Sequence, residues 1–409
     1  MADKKVLVYI NLSGKDYFVG TLWSHFTRGK ESSEFEYSKE WLNNNISFSL
    51  EPGLFLGSGK QVNIRKTPLF GSIGDSAPDT WGRILMRRYE NQLARNENRS
   101  PGTLNEIDYL LFVNDTARQG ALRFKTENSE EFQYPGNIKS IPPLIDLTKL
   151  LAASEKIIAS SEKESDLHLI LAPGSSLGGA RPKASVLDKN GELCIAKFPK
   201  KDDYTNNVLW EGVALILAGQ CGLNVQKWSI LNVGKKHVLL LKRFDRKNEI
   251  RIPFLSAMSM LNAVDNDTQI HSYLDIADAI RQYGAATKED LTELWKRIVF
   301  SILISNTDDH LRNHGFLYSG SNGWKLSPLY DVNPSPDNKN ALSTYITQTD
   351  NSQDLQLVLS VCEYFDLTTN DAKTIINDFK NTVKNWQNVA KQLGLGKSEI
   401  DKMESAFRL

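Results

Sequence analysis

A polar segment with one carboxylate and one carboxamide, followed after two predicted strands by a second carboxylate, constrains this chain more than any other feature of its sequence. Asp308 and Asn313 lie in one polar segment, and Asp331 follows later. Residues 316–318 are predicted to leave the segment as a strand, and residues 325–330 to return to it. Two carboxylates and an amide gathered there would repel one another without a cation. The pattern therefore predicts a metal-binding turn.

An amphipathic helix is predicted to support that turn. Thr287 and Asp290 resemble a capping box. Apolar residues then recur at helical spacing, at Leu291, Leu294, Trp295, Ile298, Val299 and Ile302. This helix runs directly into residues 305–313 and would hold them on a rigid support. The alternative is a loop whose Asn and Asp side chains only cap turns, as short clusters of these residues often do.

The spacing of Asp308, Asn313 and Asp331 is that of a kinase catalytic loop. In such loops the first Asp accepts the proton of the substrate hydroxyl, while the Asn and the later Asp hold Mg²⁺ on ATP. Asp309 and His310 are additional candidates for a metal or phosphate contact, although neither has an evident partner. The loop predicts phosphoryl transfer.

Residues 174–183 form a glycine-rich loop that contains Gly178 and Gly179. Such a loop can bring backbone N–H groups close to phosphate oxygens. It is not a Walker A motif, because Ala180 follows Gly179 where that motif requires Lys. The alternative is an ordinary flexible turn.

Lys197 follows an apolar β-like run, and Glu211 lies on the next predicted helix. A lysine in an apolar strand is costly to bury unless its charge meets a phosphate or carboxylate. Glu211 is the natural partner to hold Lys197 against the phosphates of ATP. The alternatives are a lysine on the solvent side of an edge strand and a glutamate on a solvated helix face.

Composition limits the kinds of partner, cofactor and cellular location that the chain can have. Lys and Arg total 49, as do Asp and Glu, so no overall charge favours nucleic acid or membrane. The three cysteines are scattered without metal-ligand spacing, which argues against a disulfide scaffold or zinc module. The start of the chain alternates too early for a signal peptide, and no apolar run is long enough to span a bilayer. We expect a cytoplasmic protein without a membrane partner.

The order of the predicted elements indicates an α+β chain in three parts. Residues 1–125 read as a small mixed β/α domain that opens with a hairpin. Residues 126–250 read as a linker followed by a kinase small lobe with the phosphate loop, and residues 251–409 as a helical large lobe with the catalytic loop. The expected architecture is two-lobed and kinase-like behind the N-terminal domain.

Motifs along nearly the whole chain resemble the HipA family of bacterial serine/threonine kinase toxins. The N-terminal landmarks are residues 17–23, 78–83 and 118–124, and the kinase landmarks are residues 176–183, 195–199, 242–246, 306–313 and 328–331. As an ordered set they are specific, although each alone is not.

The resemblance implies a role for each matching residue. Lys197 would contact ATP phosphates. Residues 242–244, which begin with Lys242, would contact adenine mainly through their backbone, with Phe244 against the adenine ring. Asp308 would be the catalytic base, Asn313 and Asp331 would ligate Mg²⁺, and His310 lies within the same motif. Ser176 falls where the family carries a self-phosphorylated serine, with Ser175 as an alternative acceptor.

The resemblance also implies partners. The family's toxins are neutralised by a small HipB-like helix-turn-helix antitoxin, and they meet operator DNA mainly through it. Their known targets include an aminoacyl-tRNA synthetase, so a protein of translation is the implied kind of substrate. A catalytically silent corepressor that binds antitoxin and operator is the first alternative. A kinase of small molecules or lipids is the second, since a fold does not fix its substrate.

Overall fold

The computed structural model describes residues 3–133, 141–174, 179–248, 250–265, 267–337 and 339–409. The chain divides into two compact units. The first comprises Met1–Lys201 and Asn232–Leu255, and the second comprises Asp202–Leu231 and Ser256–Leu409. The predicted α+β content is confirmed, whereas the three-part division of the chain stays a prediction.

Most of the strands belong to the first unit, but the last two lie in the second. In chain order they are β1 (Lys4–Leu12), β2 (Lys15–Thr27), β3 (Lys30–Tyr37), β4 (Gln61–Val62), β5 (Leu122–Thr126), β6 (Lys183–Leu187), β7 (Leu193–Lys197), β8 (Trp228–Val233), β9 (Lys236–Lys242), β10 (Arg246–Lys247), β11 (Ile250–Arg251), β12 (Phe254–Ser256), β13 (Gly315–Tyr318) and β14 (Trp324–Leu326).

Helices occur in both units, with the first six in the first unit and the others in the second. In chain order they are α1 (Lys39–Leu42), α2 (Gly71–Gly74), α3 (Thr80–Asn96), α4 (Glu106–Phe112), α5 (Leu147–Ile158), α6 (Glu164–Gly174), α7 (Asn207–Gln220), α8 (Ala257–Met260), α9 (Tyr273–Tyr283), α10 (Thr287–Leu303), α11 (Leu355–Ser360), α12 (Thr369–Val383), α13 (Trp386–Gln392) and α14 (Lys397–Lys402). Within the described part of the chain, every helix is too short or too polar to cross a lipid bilayer.

The N-terminal sheet begins with the predicted hairpin. Its five strands have the order β4-β3-β2-β1-β5. Ser13 and Gly14 join β1 to β2 with φ values of 51° and 83°, and two successive positive φ values are the mark of a tight hairpin turn. Inward residues of β1 alternate along the strand and pack with α4 and β5 into one apolar core, which includes Val6, Val8, Ile10, Ile107 and Phe124.

The strands near the glycine-rich loop place Lys197 inside a sheet. β7 pairs antiparallel with β6 on one side, where Lys197 lies opposite Lys183, and with β9 on the other, where it lies opposite Leu239. β7 is therefore an interior strand, and the edge-strand alternative for Lys197 is wrong.

Helix α10 is the support predicted for the polar segment. All six apolar positions named from the sequence are buried: Leu291, Leu294, Trp295, Ile298, Val299 and Ile302. α9 packs against α10, as does α12. The helix ends at Leu303, directly before residues 305–313.

The predicted capping box is wrong. Ala286 occupies the N-cap position of α10, and no side chain caps the helix there. The Asp290 carboxylate is buried and accepts the backbone N–H of Leu326 in β14 at 2.9 Å. The local pattern predicts that the Asp290 carboxylate caps the helix start, but it instead binds a backbone N–H 36 residues away.

Asp290 makes stability depend on pH. Burial raises its pKa to about 6 from an ordinary 3.8. The folded state therefore loses stability as pH rises through 6, where the buried carboxyl must ionise. One pKa unit equals about 1.4 kcal/mol, and partial access to water reduces the effect. We expect Asp290→Asn, which keeps an acceptor for Leu326, to be more stable than the wild type by about 1–2 kcal/mol at pH 8.

Urea unfolding of both proteins at pH 4.5 and pH 8 measures this effect. The advantage of the Asn variant should shrink at the lower pH. Glu289→Gln, on an exposed residue of the same helical turn, is the matched control and should show no such pH-dependent gain. An equal difference at both pH values would exclude titration of Asp290 as the cause.

Candidate active site

The loop that follows α10 carries three of the predicted site residues. Ser305 opens it with a left-handed backbone, φ 49°. His310 N then donates to Asp308 O at 2.9 Å, and Asn313 N donates to His310 O at 2.8 Å. A short 3₁₀ helix, Leu311–Asn313, precedes β13. These local turns place Asp308, His310 and Asn313 side by side.

Two neighbouring carboxylates of this loop have opposite surroundings. Asp308 is exposed, whereas Asp309 is buried. Asp309 accepts hydrogen bonds from Tyr273 Oη at 2.6 Å and Ser301 Oγ at 3.2 Å, and His314 Nε2 lies 3.1 Å from its Oδ1. Burial alone would raise the pKa of Asp309, but contacts with these three side chains outweigh it and lower the pKa. Asp309 thus anchors the loop, while Asp308 remains accessible to a substrate.

Asp331 is tied to the same loop on both sides. Tyr330 Oη donates to Arg312 O at 2.6 Å, and Asn333 N donates to Asn306 Oδ1 at 3.1 Å. Asp331 itself has φ 55°, a left-handed conformation that costs free energy in a residue other than glycine. Strained residues held by flanking contacts are common at functional sites. These contacts of Tyr330 and Asn333 bring Asp331 close to the Asp308 loop, and its role as a metal ligand stays a prediction.

The oxygen donors of this site are of the type that Mg²⁺ prefers. Asn313 Nδ2 donates to Asp308 O at 3.1 Å, which leaves Asn313 Oδ1 as its acceptor atom. Asp331 adds a carboxylate, and both are hard oxygen ligands. No cluster of three or more His, Cys, Asp or Glu side chains suited to a metal occurs among the described residues. The chemistry fits an ion whose other ligands are phosphate oxygens and water.

His310 is half-buried between the two ends of the loop. Its Nδ1 is shielded from water and has no hydrogen-bond partner among the described residues. A polar atom buried without a partner costs free energy unless a ligand satisfies it. The contact with a nucleotide predicted for His310 stays a prediction.

The described end of the glycine-rich loop is held by a residue that the sequence reasoning missed. Trp81 in α3 donates its backbone N–H to Gly179 O at 3.4 Å, and its Nε1 donates to Lys183 O at 2.9 Å. Gly179 has φ 86°, which favours glycine. Ser175, Ser176 and Gly178 lie outside the described residues. The motif at residues 78–83 was noted as a landmark, but its link to this loop needs the tertiary structure.

Lys197 and Glu211 belong to different units. Lys197 ends β7 in the first unit and is partly buried. Glu211 lies in α7 in the second unit and is only 4% exposed, so the solvated-face alternative for it is wrong. A glutamate is rarely buried without a partner. The pairing of Lys197 with Glu211 stays a prediction.

The segment predicted to meet adenine follows β9. The ammonium of Lys242 forms an ion pair with Glu192 at partly exposed positions. Phe244 is half-buried beside Phe254, with ring centroids 6.2 Å apart. Because the Lys242 side chain is engaged with Glu192, a nucleotide contact at this position would use its backbone, as the resemblance implies.

A buried ion network surrounds this segment within the first unit. Asp245 accepts from Arg243 Nε at 2.6 Å, from an Nη of Arg246 at 2.8 Å and from Gly120 N at 2.7 Å. Burial alone would raise the pKa of Asp245, but Arg243 and Arg246 hold it well below its usual range. Burial lowers the pKa of Arg246 to about 9, an effect that Asp245 only partly offsets. The network joins the landmarks at residues 118–124 and 242–246.

Known proteins resemble this chain in both sequence and fold. A family model described as the HipA-like C-terminal domain matches residues 175–386. The serine/threonine-protein kinase toxin HipA of Shewanella oneidensis is 24% identical over 193 residues, which are 39% of this chain and 43% of that protein. A Haemophilus influenzae protein, whose name calls it a candidate kinase, is 25% identical over 188 residues, 40% of this chain and 54% of that protein. The chain thus spans about half the length of these relatives.

A solved structure extends the likeness to nearly the whole chain. It is described as the HipA, HipB and operator DNA complex of Shewanella oneidensis, and the matching chain covers 98% of the present chain and 94% of its own length. The TM-score is 0.64 at 16% identity, which establishes a shared fold.

Proposed function

Because the chain belongs to the family of proteins with a HipA-like C-terminal domain, which its residues 175–386 match, we propose that it is an ATP- and Mg²⁺-dependent serine/threonine protein kinase. The substrate would be a cellular protein, with a translation component such as an aminoacyl-tRNA synthetase as the implied kind. One observation carries the proposal. The exposed carboxylate of Asp308 lies on a loop that also contains Asn313. Hydrogen bonds of Tyr330 and Asn333, which lie on either side of Asp331, join that part of the chain to the same loop.

In the proposed reaction the γ-phosphoryl group of ATP passes to a substrate hydroxyl. Bound ATP with Mg²⁺ would supply the phosphoryl group and neutralise the charge of the transition state. Asp308 accepts the proton of the hydroxyl as the new oxygen–phosphorus bond forms and the bond to ADP breaks. Asn313 and Asp331 would hold the cation through their side-chain oxygens.

The remaining predicted residues have roles in nucleotide binding. Lys197 would contact phosphate oxygens, with Glu211 as its orienting partner. Gly178 and Gly179 would bring backbone N–H groups to the phosphates. The Lys242–Phe244 stretch would meet adenine, and His310 would donate to or accept from the nucleotide.

Self-phosphorylation of the glycine-rich loop would regulate the enzyme. A phosphate on Ser176, or on the neighbouring Ser175, adds nearly two negative charges, which would repel the phosphates of ATP. Mass spectrometry of the purified protein after incubation with ATP and Mg²⁺ should detect a phosphate on the peptide that contains Ser175 and Ser176. The same peptide from Asp308→Asn protein should remain unmodified.

Two negative results would separate the alternatives. Protein that binds ATP but labels neither itself nor any lysate protein would favour the silent corepressor. Labelling that appears only on small molecules or lipids would favour the second alternative.

We also propose a helix-turn-helix partner of the HipB type, through which the protein would meet operator DNA. The proposal is supported by the fold shared with the HipA chain whose structure is described as a complex with HipB and operator.

A further inference from the structure

Residues 405–408 contact several elements that carry the proposed catalytic groups of the second unit. We call them the 405–408 segment. They follow α14 and include Phe407, which is buried, and Arg408, which is partly exposed. None of the sequence motifs described above includes them.

Arg408 holds the start of the catalytic loop. Its backbone N–H donates to Leu303 O at 2.9 Å, at the last residue of α10. Its Nε donates to Ser305 Oγ at 3.1 Å. Ser305 is buried and has φ 49°, so the loop leaves the helix through a backbone conformation that needs support.

The same guanidinium also holds the segment beyond Asp331. One Nη of Arg408 donates to Lys339 O and to Asn340 Oδ1, each at 3.0 Å. Ser405 Oγ donates to Pro336 O at 3.1 Å. A planar guanidinium with several donors can join two backbone segments in this way, whereas a lysine ammonium lacks that fork geometry.

Phe407 reaches the helix that carries Glu211. Its ring stacks on Trp386 with centroids 4.1 Å apart and an interplanar angle of 6°. It also lies 6.2 Å from the ring of Trp210, the residue before Glu211 in α7. Phe407 and Arg408 therefore fix α7, the Asp308 loop and the chain after Asp331 to one another.

We propose that the 405–408 segment positions the groups that carry out phosphoryl transfer, with Arg408 as the main positioning residue. This inference rests on the proposed kinase function. Arg408 touches neither nucleotide nor substrate in this scheme. It acts by holding Ser305 in place, which fixes the position of Asp308 relative to Asp331. Misplacement of a catalytic group by about 1 Å can cost about 100-fold in rate.

Arg408→Ala should lower the maximal rate of self-phosphorylation by about 10–100-fold, with less than a threefold change in the apparent KM for ATP. Its midpoint of urea unfolding should stay close to that of the wild type, because the lost hydrogen bonds are largely at the surface. Arg408→Lys should remain impaired, since it keeps the charge but loses the fork. Arg281→Ala, whose exposed hydrogen bonds go to Tyr364 and Asp366, is the matched control and should keep full activity.

Hydrogen exchange of the peptide covering residues 303–313 gives a readout that needs no catalysis. Its amides should exchange at least about 10-fold faster in Arg408→Ala than in Arg281→Ala, because the loop loses the side-chain donor to Ser305 Oγ. Unchanged rates and unchanged exchange would overturn the proposal, as would full rescue by Arg408→Lys. If wild-type protein shows no phosphoryl transfer, the proposed function fails, and hydrogen exchange alone then decides the positioning role.

Discussion

Asp308→Asn is expected to lower phosphoryl transfer by about 10²–10⁴-fold, the usual contribution of a general base. The Asn side chain keeps nearly the same shape but cannot take the proton of the substrate hydroxyl at neutral pH. Because Asp308 is exposed and Asn313 contacts its backbone oxygen rather than its carboxylate, the fold should be retained. Transfer of radiolabel from ATP, together with the free energy of unfolding, measures both effects.

Asp401→Asn is the matched control for this variant. Asp401 is an exposed carboxylate of α14 in the same unit, and its loss should change neither activity nor stability by a measurable amount. Retention of wild-type activity by Asp308→Asn would refute the assignment of the base. A loss of activity that accompanies unfolding would leave the chemical role without support.

Asp245→Asn is expected to destabilise the first unit by about 3–5 kcal/mol, since removing one partner of a buried ion network leaves uncompensated charge. Arg243 and Arg246 would both lose their carboxylate, and Gly120 N would face a weaker acceptor. Because the pKa of Asp245 is held well below its usual range, this stability is present above pH 4 and is lost only in stronger acid.

Denaturant unfolding at pH 7 measures this change, and a surface ion pair supplies its control. Asp265 pairs with Arg312 at 2.7 Å, with both side chains largely exposed. Asp265→Asn should cost less than about 1 kcal/mol, as exposed pairs do. Equal losses of unfolding free energy in the two variants would show that burial does not strengthen the interactions of Asp245.

Local sequence patterns predicted the elements that frame the candidate site. The apolar spacing in α10, the N-terminal hairpin and the strand predicted at residues 316–318 are confirmed, whereas the returning strand ends at Leu326 rather than at residue 330. Each depends on residues close together in the chain, where side-chain periodicity and turn chemistry act directly.

Contacts between distant segments could not be read from the same patterns. The loop sequence indicates Asp309 as a possible ligand, yet its carboxylate accepts hydrogen bonds from Tyr273 and Ser301. Asp290 was assigned to a helix cap but binds β14. Nothing local separates an exposed carboxylate from a buried one when the deciding partner lies 36 residues away.

The two hydrogen bonds of Trp81 restrict how this protein can exchange parts with its relatives. A genetic crossover between residues 125 and 175 would join one parent's α3 to another parent's glycine-rich loop. The acceptors of the two Trp81 donors are main-chain carbonyl oxygens at positions 179 and 183, and the other parent's loop would have to place them at the same points. Functional hybrids should therefore inherit α3 and the loop from the same ancestor.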